Sequence, residues 1–469
     1  MVAMSCLACH QSNDADRGGA KVVSQGQAVA GTPPFNVLIL VLDACRADKF
    51  GCNGFERPTT PNADAFAKDP DAVVFRDHHV QGTWTKPSTA SLFTGLFVHQ
   101  HGVFKGTEKV PAAGHELYRT TVLPPEADTL AERFRAAGFT TFAAVRNEHL
   151  IPDYGFGQGF DEYQALNYSG GDFQLIQKVV GFAERTSGKW FAYLHLSGCH
   201  NPFDVDHRDP AYMQRYGFPY DEAGRQRVGV DFTHGEINHT IRDGRVQLDD
   251  DDVRFLHLIY EAKLRTVDQR AIGPLLNWLR GNGHYDDSLI ILTADHGEEL
   301  YDHHGYGHGP ALWEEVIHVP LIVKFPKGRK PHGLGQEVTA LTSAVDLLPS
   351  LLALIGRPPV DRLSGVTSLE GTFADYSLAE LGGWGWALLQ GNYKLFGERR
   401  DGPLLFDLHE DPHEQHNLAA AEPDRVASMQ GFVGKLRQAS SKSATTAPVV
   451  EKELPPEVIE RLRSLGYLR

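Results

Sequence analysis

Four unbroken apolar runs recur along the first two thirds of the chain. They are Val37–Leu42, Thr141–Val145, Trp190–Leu196 and Ser288–Thr293. A short apolar run without polar alternation is typical of a strand that is buried on both faces of a parallel sheet. The four runs therefore predict strands of one central sheet.

Helical patterns lie between these runs. The stretch Thr129–Ala137 can begin at a cap formed by Asp128 or Thr129 and can end at Gly138. A second amphipathic pattern repeats at steps of three and four residues. Its apolar positions are Val253, Leu256, Tyr260, Leu264 and Val267. Strands that alternate with helices predict an α/β fold, here a three-layer α/β/α sandwich with a mostly parallel central sheet.

The periodicity changes towards both ends of the chain. The first 33 residues are polar and rich in Gly, Ser and Gln, which is typical of a flexible segment. Beyond residue 355 the strand-like pieces are short, and they are Trp386–Leu389, Tyr393–Phe396 and Leu404–Leu408. These pieces predict a smaller C-terminal α/β subdomain. Residues 439–454 are rich in Ser, Lys, Ala, Thr and Pro, which predicts a linker before a short helix at Pro456–Leu465.

These patterns divide the chain into four parts. We predict a flexible N-terminal segment at 1–33, a catalytic domain at 34–355, a C-terminal subdomain at 356–420, and a helical tail with a linker at 421–469.

Composition and charge exclude several classes of protein. The chain has 469 residues, of which 41% are hydrophobic, so it can bury a large core. Its formal net charge is -15, and it has no basic stripe that could neutralise a nucleic-acid backbone. We therefore expect no nucleic-acid partner. No run approaches the roughly 18 apolar residues of a membrane helix, so we expect no transmembrane segment. The oligomeric state is not predicted.

The five cysteines lack the regular spacing of a disulfide framework. The segment from Cys6 to His10 has the pattern of a c-type haem attachment, but no small helical haem domain surrounds it. We interpret Cys45 and Cys199 as small packing residues rather than as a redox pair. The compartment stays open, because Cys6 or Cys9 can be the remnant of a clipped lipoprotein signal. With such a signal the protein would be periplasmic or lipid-anchored, and otherwise it would be cytoplasmic.

Polar side chains follow the predicted strands. They are Asp43, Asn147, His200 and the pair Asp295-His296. The carboxyl ends of parallel strands share one edge of the sheet, and α/β proteins bind ligands there. Carboxylate oxygens combined with an imidazole nitrogen suit a divalent ion such as Zn or Mn, and Ca is a further possibility. An aspartate at a strand end can instead simply cap the next helix.

A hydroxyl side chain precedes a predicted helix start at Thr85. Pro87 suits the first turn of a helix, and Ser91 and Gly95 allow close packing. The unpaired N–H groups of a helix start attract anions. A hydroxyl that is bound to a metal at such a place can attack a phosphorus or sulfur centre. We therefore interpret Thr85 as a nucleophile and a metal ligand, whereas the same segment taken alone is an ordinary helix start.

Together these segments resemble the sulfatase family of the alkaline-phosphatase superfamily over nearly the whole ordered chain. The matching segments are Leu42-Asp43, Arg46-Ala47-Asp48, Thr60-Pro61-Asn62, Pro87 to Gly95, His99-Gln100-His101-Gly102, Thr129 to Glu132, Gly157 to Asp161, His200 to Phe203, Val319 to Val323, Tyr393-Lys394-Leu395, Leu405 to Leu408, Asp411-Pro412 and Asn417-Leu418. The resemblance implies an ester hydrolase. It also implies a metal held by Asp43, Asp295 and His296, with the Thr85 oxygen as a further ligand.

The resemblance also implies roles for three histidines. His200 falls where the family has a histidine near the leaving group, so we expect it to act as a general acid or a hydrogen-bond donor. His303 and His308 follow the Asp-His pair and are further candidates for catalysis. His308 lies near the place where many sulfatases carry a lysine that faces the anion, and a surface histidine is the alternative.

Three further residues are expected to contact the substrate. Arg46 and Lys86 can clamp an anion, and each can equally form a structural ion pair. Asn147 is expected at the same edge of the sheet as the metal.

Departures from the family pattern change the expected substrate. Sulfatases usually carry Cys or Ser in a Cys-x-Pro-x-Arg pattern, and that residue is converted to formylglycine. Here the corresponding residues are Thr85, Pro87 and Thr89, so the conversion is not available and the arginine is missing. The usual second aspartate is Ala44, and the frequent Asp-Asn pair is Asp295-His296. The site thus resembles the threonine-dependent phosphodiesterases and phosphotransferases of the superfamily.

We predict a metal-dependent hydrolase of phosphate, phosphodiester or phosphonate esters, with a small-molecule, glycan or lipid ester as substrate. A phospho-threonine needs its own hydrolysis step, whereas formylglycine expels sulfate by elimination, and this difference favours phosphorus. The alternatives are a sulfuric ester hydrolase, a phosphotransferase and an inactive binding protein. The intact set of Asp43, Thr85, Asp295 and His296 argues against an inactive protein.

Overall fold

The computed structural model describes residues 35–110, 117–166, 171–201, 210–217, 240–241, 244–358, 360, 363–382, 385–399, 401–442 and 449–464. The predicted flexible segment at 1–33, which contains Cys6 and Cys9, lies outside these residues.

The strands, in chain order, are β1 Asn36–Leu42, β2 Ala72–Phe75, β3 His78–His79, β4 Glu108–Val110, β5 Leu117–Val122, β6 Thr140–Val145, β7 Glu162–Ala165, β8 Trp190–Leu196, β9 Ser288–Ala294, β10 Glu299–Leu300, β11 Tyr306–Gly307, β12 Leu321–Lys324, β13 Glu337–Val338, β14 Thr342–Ser343, β15 Tyr376–Glu380, β16 Trp386–Gln390, β17 Tyr393–Gly397, β18 Leu404–Asp407 and β19 Val450–Glu453. The helices are α1 Pro61–Ala67, α2 Thr85–Thr94, α3 Val98–His101, α4 Leu130–Ala136, α5 Asp172–Arg185, α6 Pro210–Arg215, α7 Asp250–Val267, α8 Gly273–Gly281, α9 Glu314–Ile317, α10 Leu347–Leu354, α11 Pro423–Lys442 and α12 Pro456–Ser464.

The central sheet has the strand order β13-β2-β12-β9-β1-β8-β6-β7. The strands β9, β1, β8, β6 and β7 run parallel, and β12 runs antiparallel to both of its neighbours. The four apolar runs of the sequence form β1, β6, β8 and β9. These four strands are neighbours in the sheet, in the order β9-β1-β8-β6. The predicted mostly parallel sheet is confirmed.

Both faces of the sheet are covered. The even-numbered residues of β1, from Leu38 to Leu42, pack in one hydrophobic cluster with α5, α7 and α8. The odd-numbered residues, from Val37 to Val41, pack in a second cluster with α2, α4 and α10. Because successive side chains of a strand point to opposite faces, burial on both sides requires the unbroken apolar run that the sequence shows.

The two predicted helices are present as α4 and α7. Thr129 caps α4, since its side chain accepts the Glu132 N–H at 3.2 Å and the Glu132 carboxylate accepts the Thr129 N–H at 2.9 Å. Asp249 caps α7 in the same way. No helix in the described part of the chain is long and apolar enough to cross a bilayer.

The C-terminal part forms a second, smaller sheet. Strands β15 to β18 are antiparallel in sequence order, and α11 packs on them through Val426, Met429 and Val433. This is the predicted C-terminal α/β subdomain. Within the predicted linker at 439–454, α11 extends to Lys442, and β19 pairs with the edge of β5. The free backbone groups of that edge favour a strand even where the composition is polar.

Candidate active site

Three strand ends and one helix start meet at the carboxyl edge of the central sheet. Asp43 directly follows β1, Asn147 lies two residues beyond β6, and the pair Asp295-His296 directly follows β9. Thr85 is the first residue of α2. Because β6, β8, β1 and β9 are neighbours in the sheet, their polar ends lie along one line.

The turn after β1 has an uncommon backbone conformation. Ala44 has a φ angle of 57°, in the left-handed region that residues other than glycine rarely adopt. Its N–H donates to Asp295 Oδ1 at 3.3 Å, and its carbonyl accepts the Tyr260 hydroxyl at 2.9 Å. These bonds hold Asp43 against β9 and α7, and such strain is typical of functional sites.

Asn147 joins the predicted nucleophile to the predicted metal ligand. Its Nδ2 donates to Thr85 Oγ1 at 3.0 Å and to Asp43 Oδ2 at 2.6 Å. Its Oδ1 accepts the backbone N–H of His149 at 2.8 Å, which fixes the orientation of the amide. The Thr85 oxygen also lies 3.4 Å from His296 Nε2. Thr85 therefore has a donor on one side and an imidazole on the other.

Two imidazoles face the same two carboxylates. His296 Nε2 lies 3.4 Å from Asp43 Oδ1 and 3.5 Å from Asp295 Oδ2. His195 Nε2, from the interior of β8, lies 3.5 Å from Asp43 Oδ2 and 3.6 Å from Asp295 Oδ2. Ligands bonded to one Zn²⁺ at about 2.0–2.2 Å in a tetrahedral shell are about 3.3–3.6 Å apart. The observed separations match that spacing.

Among the described residues, three buried atoms of this cluster have no hydrogen-bond partner. They are Asp43 Oδ1, Asp295 Oδ2 and His195 Nε2. His296 Nδ1 is bonded to the Gly297 carbonyl at 2.8 Å, so in the neutral ring Nε2 carries the lone pair. Buried polar atoms are otherwise almost always paired. Carboxylate oxygens and imidazole nitrogens that point at one place therefore fit a divalent cation.

The charges of the cluster lead to the same conclusion. Burial raises the pKa of Asp295, and the neighbouring Asp43 carboxylate raises it further against the opposing effect of His296. Burial also raises the pKa of Asp43, but the nearby imidazoles of His200 and His195 outweigh burial and hold this pKa below its usual range. Burial lowers the pKa of His296, yet the two carboxylates outweigh it and raise that pKa overall. Two adjacent buried carboxylates thus require compensating positive charge.

His200 and His308 lie beside this cluster. The His308 ring is centred 4.3 Å from the His296 ring and 5.0 Å from the His200 ring. His308 Nδ1 lies 3.0 Å from Glu298 Oε1, and the adjacent Gly309 N–H donates to the Thr83 carbonyl at 3.0 Å. Burial lowers the pKa of His200. Both histidines therefore lie beside the His296 imidazole.

Arg46 is engaged in ion pairs. Nε and Nη2 donate to the two oxygens of Asp48, both at 2.8 Å. Nη1 and Nη2 donate to the two oxygens of Asp302, and Nη1 also donates to the Glu298 carbonyl at 3.3 Å. A guanidinium has five N–H donors, and each has a partner here. This is the ion-pair arrangement rather than the anion clamp.

Lys86 and His303 point away from Thr85. The Lys86 ammonium is bonded to Thr120 and lies 4.8 Å from the centre of the Tyr154 ring. His303 Nδ1 is bonded to Glu315 at 2.7 Å, and its ring stacks on Trp313 at 3.8 Å. His303 lines a crevice of 680 Å³ that Arg46 also lines. Neither side chain has a described contact with the cluster around Asp43.

His195 and Glu298 were not singled out in the sequence. His195 is the one histidine within the apolar run Trp190–Leu196, and that position was the available signal. Its Nδ1 lies 3.0 Å from the Tyr193 hydroxyl, which orients the ring towards the carboxylates. Glu298 lies three residues after Asp295 and gave no signal, because an acidic pair at 298–299 is equally typical of a solvated turn.

Comparisons with known proteins give the family. The sulfatase family profile matches residues 35–357. An uncharacterised sulfatase of Escherichia coli, YidJ, is 23% identical over 82% of this chain and 82% of its own. The multifunctional alkaline phosphatase superfamily protein PehA of Trinickia caryophylli is 24% identical over 85% of this chain and 94% of its own.

A solved structure shares the fold. The phosphonate monoester hydrolase of Agrobacterium radiobacter superposes with a TM-score of 0.65 at 21% identity, and the match covers 90% of this chain and 100% of that chain. The predicted resemblance to the sulfatase family and the predicted class of ester hydrolase are confirmed, whereas the threonine nucleophile stays a prediction. With a profile match over most of its length, the chain belongs to the sulfatase family.

Proposed function

We propose that this chain hydrolyses phosphorus esters, namely phosphodiesters or phosphate or phosphonate monoesters, with Thr85 as the nucleophile. The observation that carries the proposal is the position of Thr85 Oγ1. It lies 3.0 Å from Asn147 Nδ2, and the same amide donates to Asp43 at 2.6 Å. The hydroxyl thus adjoins the cluster of partnerless buried atoms.

The residues that would hold a divalent ion are Asp43, Asp295, His195 and His296, with the Thr85 oxygen beside them. Their mixed oxygen and nitrogen donors favour Zn or Mn over Ca. A bound ion of this kind would lower the proton affinity of the Thr85 hydroxyl and offset negative charge on the substrate.

Before attack, the Thr85 hydroxyl gives its proton to the solvent. In the first step, the resulting Thr85 oxyanion forms a bond to phosphorus while the bond to the leaving oxygen breaks, and the second step restores the oxyanion. The Asn147 N–H already donates to the Thr85 oxygen, so it stabilises negative charge there. Thr85 begins α2, and the N–H groups of that helix start favour an anionic group. The products of this step are a free alcohol and a phospho-threonine.

The leaving oxygen needs a proton, and we assign its delivery to His308. The Glu298 carboxylate at Nδ1 fixes the ring and supports a proton on Nε2, as a carboxylate does in other acid–base pairs. In the second step water attacks phosphorus, gives a proton to His308 and releases Thr85. His200, 5.0 Å from His308 between ring centres, lies next to this path.

Two features favour phosphorus over sulfur. Thr85 cannot become formylglycine, and Thr89 stands where sulfatases carry an arginine. Two relatives are named for chemistry beyond sulfate, the multifunctional alkaline phosphatase superfamily protein and the phosphonate monoester hydrolase. Others are named as sulfatases, including human arylsulfatase A, so sulfate esters belong in the test.

The test is a panel of nitrophenyl phosphate, bis-nitrophenyl phosphate, nitrophenyl phenylphosphonate and nitrophenyl sulfate, each with Zn²⁺, Mn²⁺ or Ca²⁺. We expect a phosphorus ester to be turned over fastest. Thr85→Ala should lower kcat/KM by at least about 10³-fold, and Thr85→Ser should keep part of the activity. Equal circular-dichroism spectra and unfolding midpoints of the three proteins would show that the fold is intact.

A trapped intermediate gives a second readout. Acid quenching during turnover should leave a phosphoryl group on the tryptic peptide 77–105, which contains Thr85 and is not cleaved at Lys86-Pro87. Faster turnover of sulfate than of every phosphorus ester would overturn the preference for phosphorus. Full activity of Thr85→Ala would overturn the nucleophile. Product transferred to an added alcohol rather than to water would indicate a phosphotransferase.

A further inference from the structure

Two cysteines that are distant in the sequence lie side by side next to the cluster around Asp43. Cys45 lies two residues after Asp43, and Cys199 precedes His200. Their Sγ atoms are 3.0 Å apart, and both side chains are fully buried. Cys52 is a third described thiol, and it is only partly buried.

The backbone holds these two sulfurs face to face. The Cys199 N–H donates to the Asp43 carbonyl at 2.8 Å. Gly198 has a φ angle of 49°, and a Cβ atom there would lie 2.5 Å from the Asp43 carbonyl oxygen. Only glycine allows this approach of the two chain segments. On the other side, the Tyr260 hydroxyl fixes the turn through Ala44 and Arg46.

The sulfur separation is close to a covalent one. An S–S bond is about 2.05 Å long, so the two sulfur atoms need to approach by only about 1 Å. The segments are already joined by a backbone hydrogen bond, so this approach needs no rearrangement of the sheet. The sequence predicts that Cys45 and Cys199 are packing residues. The short distance between their sulfurs also allows them to form a disulfide.

We propose that Cys45 and Cys199 are an oxidation site that forms a disulfide between the ends of β1 and β8. In exchange with a small disulfide such as oxidised glutathione, the two protein S–H bonds break and one protein S–S bond forms. The small disulfide takes up the two electrons and two protons and leaves as two thiols. The cross-link would tie the Asp43 turn to the His200 turn. This inference does not depend on the proposed function.

The burial of the two sulfurs determines under which conditions the disulfide can form. Both thiols are fully buried, so an external disulfide does not reach either sulfur in the folded chain. We therefore expect exchange to be slow in the native protein and faster when the chain opens. The experiment accordingly uses reduced full-length protein with oxidised glutathione, in buffer and in urea just below the unfolding midpoint.

Tryptic peptides separate the relevant cysteines. Cys45 falls in peptide 22–46, Cys52 in 50–68 (the Arg57-Pro58 bond is not cleaved) and Cys199 in 190–208, while Cys6 and Cys9 share peptide 1–17. After the remaining thiols are alkylated, we expect 22–46 to appear linked to 190–208. The link should be lost on reduction and absent in Cys199→Ser, whereas Cys52→Ser should retain it.

Stability gives an independent readout. Closing a loop of this length should raise the unfolding midpoint of the oxidised wild type by on the order of 5 °C over the reduced protein. Cys199→Ser should show the same midpoint under both conditions. Recovery of Cys45 and Cys199 as separately alkylated peptides from the urea incubation would overturn the proposal. So would a link from either of them to Cys52 in place of the expected pair.

Discussion

The turn after β1 serves two charged clusters, one around Asp43 and one around Arg46. In the Arg46 cluster each of the five N–H donors has a partner among Asp48, Asp302 and a backbone carbonyl. In the Asp43 cluster, by contrast, the described part of the chain supplies no partner for one oxygen of Asp43, one of Asp295 and the Nε2 of His195. The side chains of the Asp43 cluster are buried, as is Arg46, whereas Asp48 and Asp302 stay partly exposed. The chain itself pairs every donor of Arg46, whereas a bound ligand could pair the three remaining atoms of the Asp43 cluster.

The energetic difference explains why this contrast is informative. A buried polar atom without a partner costs about 1–3 kcal/mol. Three such atoms together are a large fraction of a net stability of about 5–15 kcal/mol. A cluster with that cost is retained when a bound group compensates it, whereas a completed ion-pair cluster is explained by the fold alone.

After the loss expected for Thr85→Ala, the largest expected effect is on the proton transfer next to the Asp43 cluster. Glu298→Gln should lower kcat for a phosphorus ester by about 100-fold, because an amide cannot support a protonated His308 as a carboxylate does. KM and metal content should change little, and the pH–rate profile should lose its dependence on this pair. Asp302→Asn, from the Arg46 cluster, is the matched control and should leave kcat unchanged. An unaltered kcat and pH profile in Glu298→Gln would remove Glu298 from the mechanism.

The next effect is on metal affinity. His195→Gln should weaken Zn²⁺ or Mn²⁺ binding by about 10- to 100-fold, because one imidazole that faces both carboxylates is lost. Competition with a chromophoric chelator measures this affinity without turnover. His303→Gln should bind the metal as the wild type does, since His303 is bonded to Glu315 away from the cluster. Equal affinities of the His195 variant and the wild type would show that this ring is not a ligand.

A third substitution tests the completed cluster. Arg46→Met should lower the free energy of unfolding by about 2 kcal/mol, since Asp302 and Asp48 lose their partner and both are partly exposed. Urea unfolding measures the loss, and the metal affinity of the folded protein should stay the same. Unchanged stability together with a KM raised more than about tenfold would instead assign Arg46 to substrate binding.

The smallest effect concerns Lys86, a buried amine for which the described residues supply no carboxylate partner. Burial lowers the pKa of Lys86 to about 7, while the unfolded chain keeps the ordinary value near 10.5. The unfolded state therefore binds more protons between these values, and the stability of the wild type rises with pH above 7. Relative to Lys86→Met, we expect a gain of about 2 kcal/mol from pH 7 to pH 9. Parallel urea-unfolding results for the two proteins over that range would contradict a neutral Lys86.

Much of the fold follows from local pattern. The apolar runs predicted β1, β6, β8 and β9 within about one residue, because burial on both faces leaves no place for polar alternation. The capping signal at Thr129 likewise lies at the observed start of its helix. The strand β19 was missed, because its pairing with β5 is a contact between segments more than 300 residues apart and leaves no local pattern.

The sequence predicted which residue types lie at the site, but it did not predict the contacts that these residues make. Asp43, Asp295 and His296 stand at strand ends, where sheet topology places ligand-binding side chains together. The sequence could not show that Arg46 is fully paired, that Lys86 turns towards Thr120, or that His195 faces the carboxylates. Each of these depends on partners that distant parts of the chain supply.

The most direct measurement is the metal content of the protein itself. Full-length protein is stripped with a chelator, exposed to Zn²⁺ or Mn²⁺, desalted and assayed by elemental mass spectrometry, alongside Asp43→Asn/Asp295→Asn and the control Asp302→Asn. We predict a tightly bound divalent ion in the wild type and in the control, and its loss in the double variant. A wild type that retains no ion, or a double variant that retains as much as the wild type, would contradict this prediction.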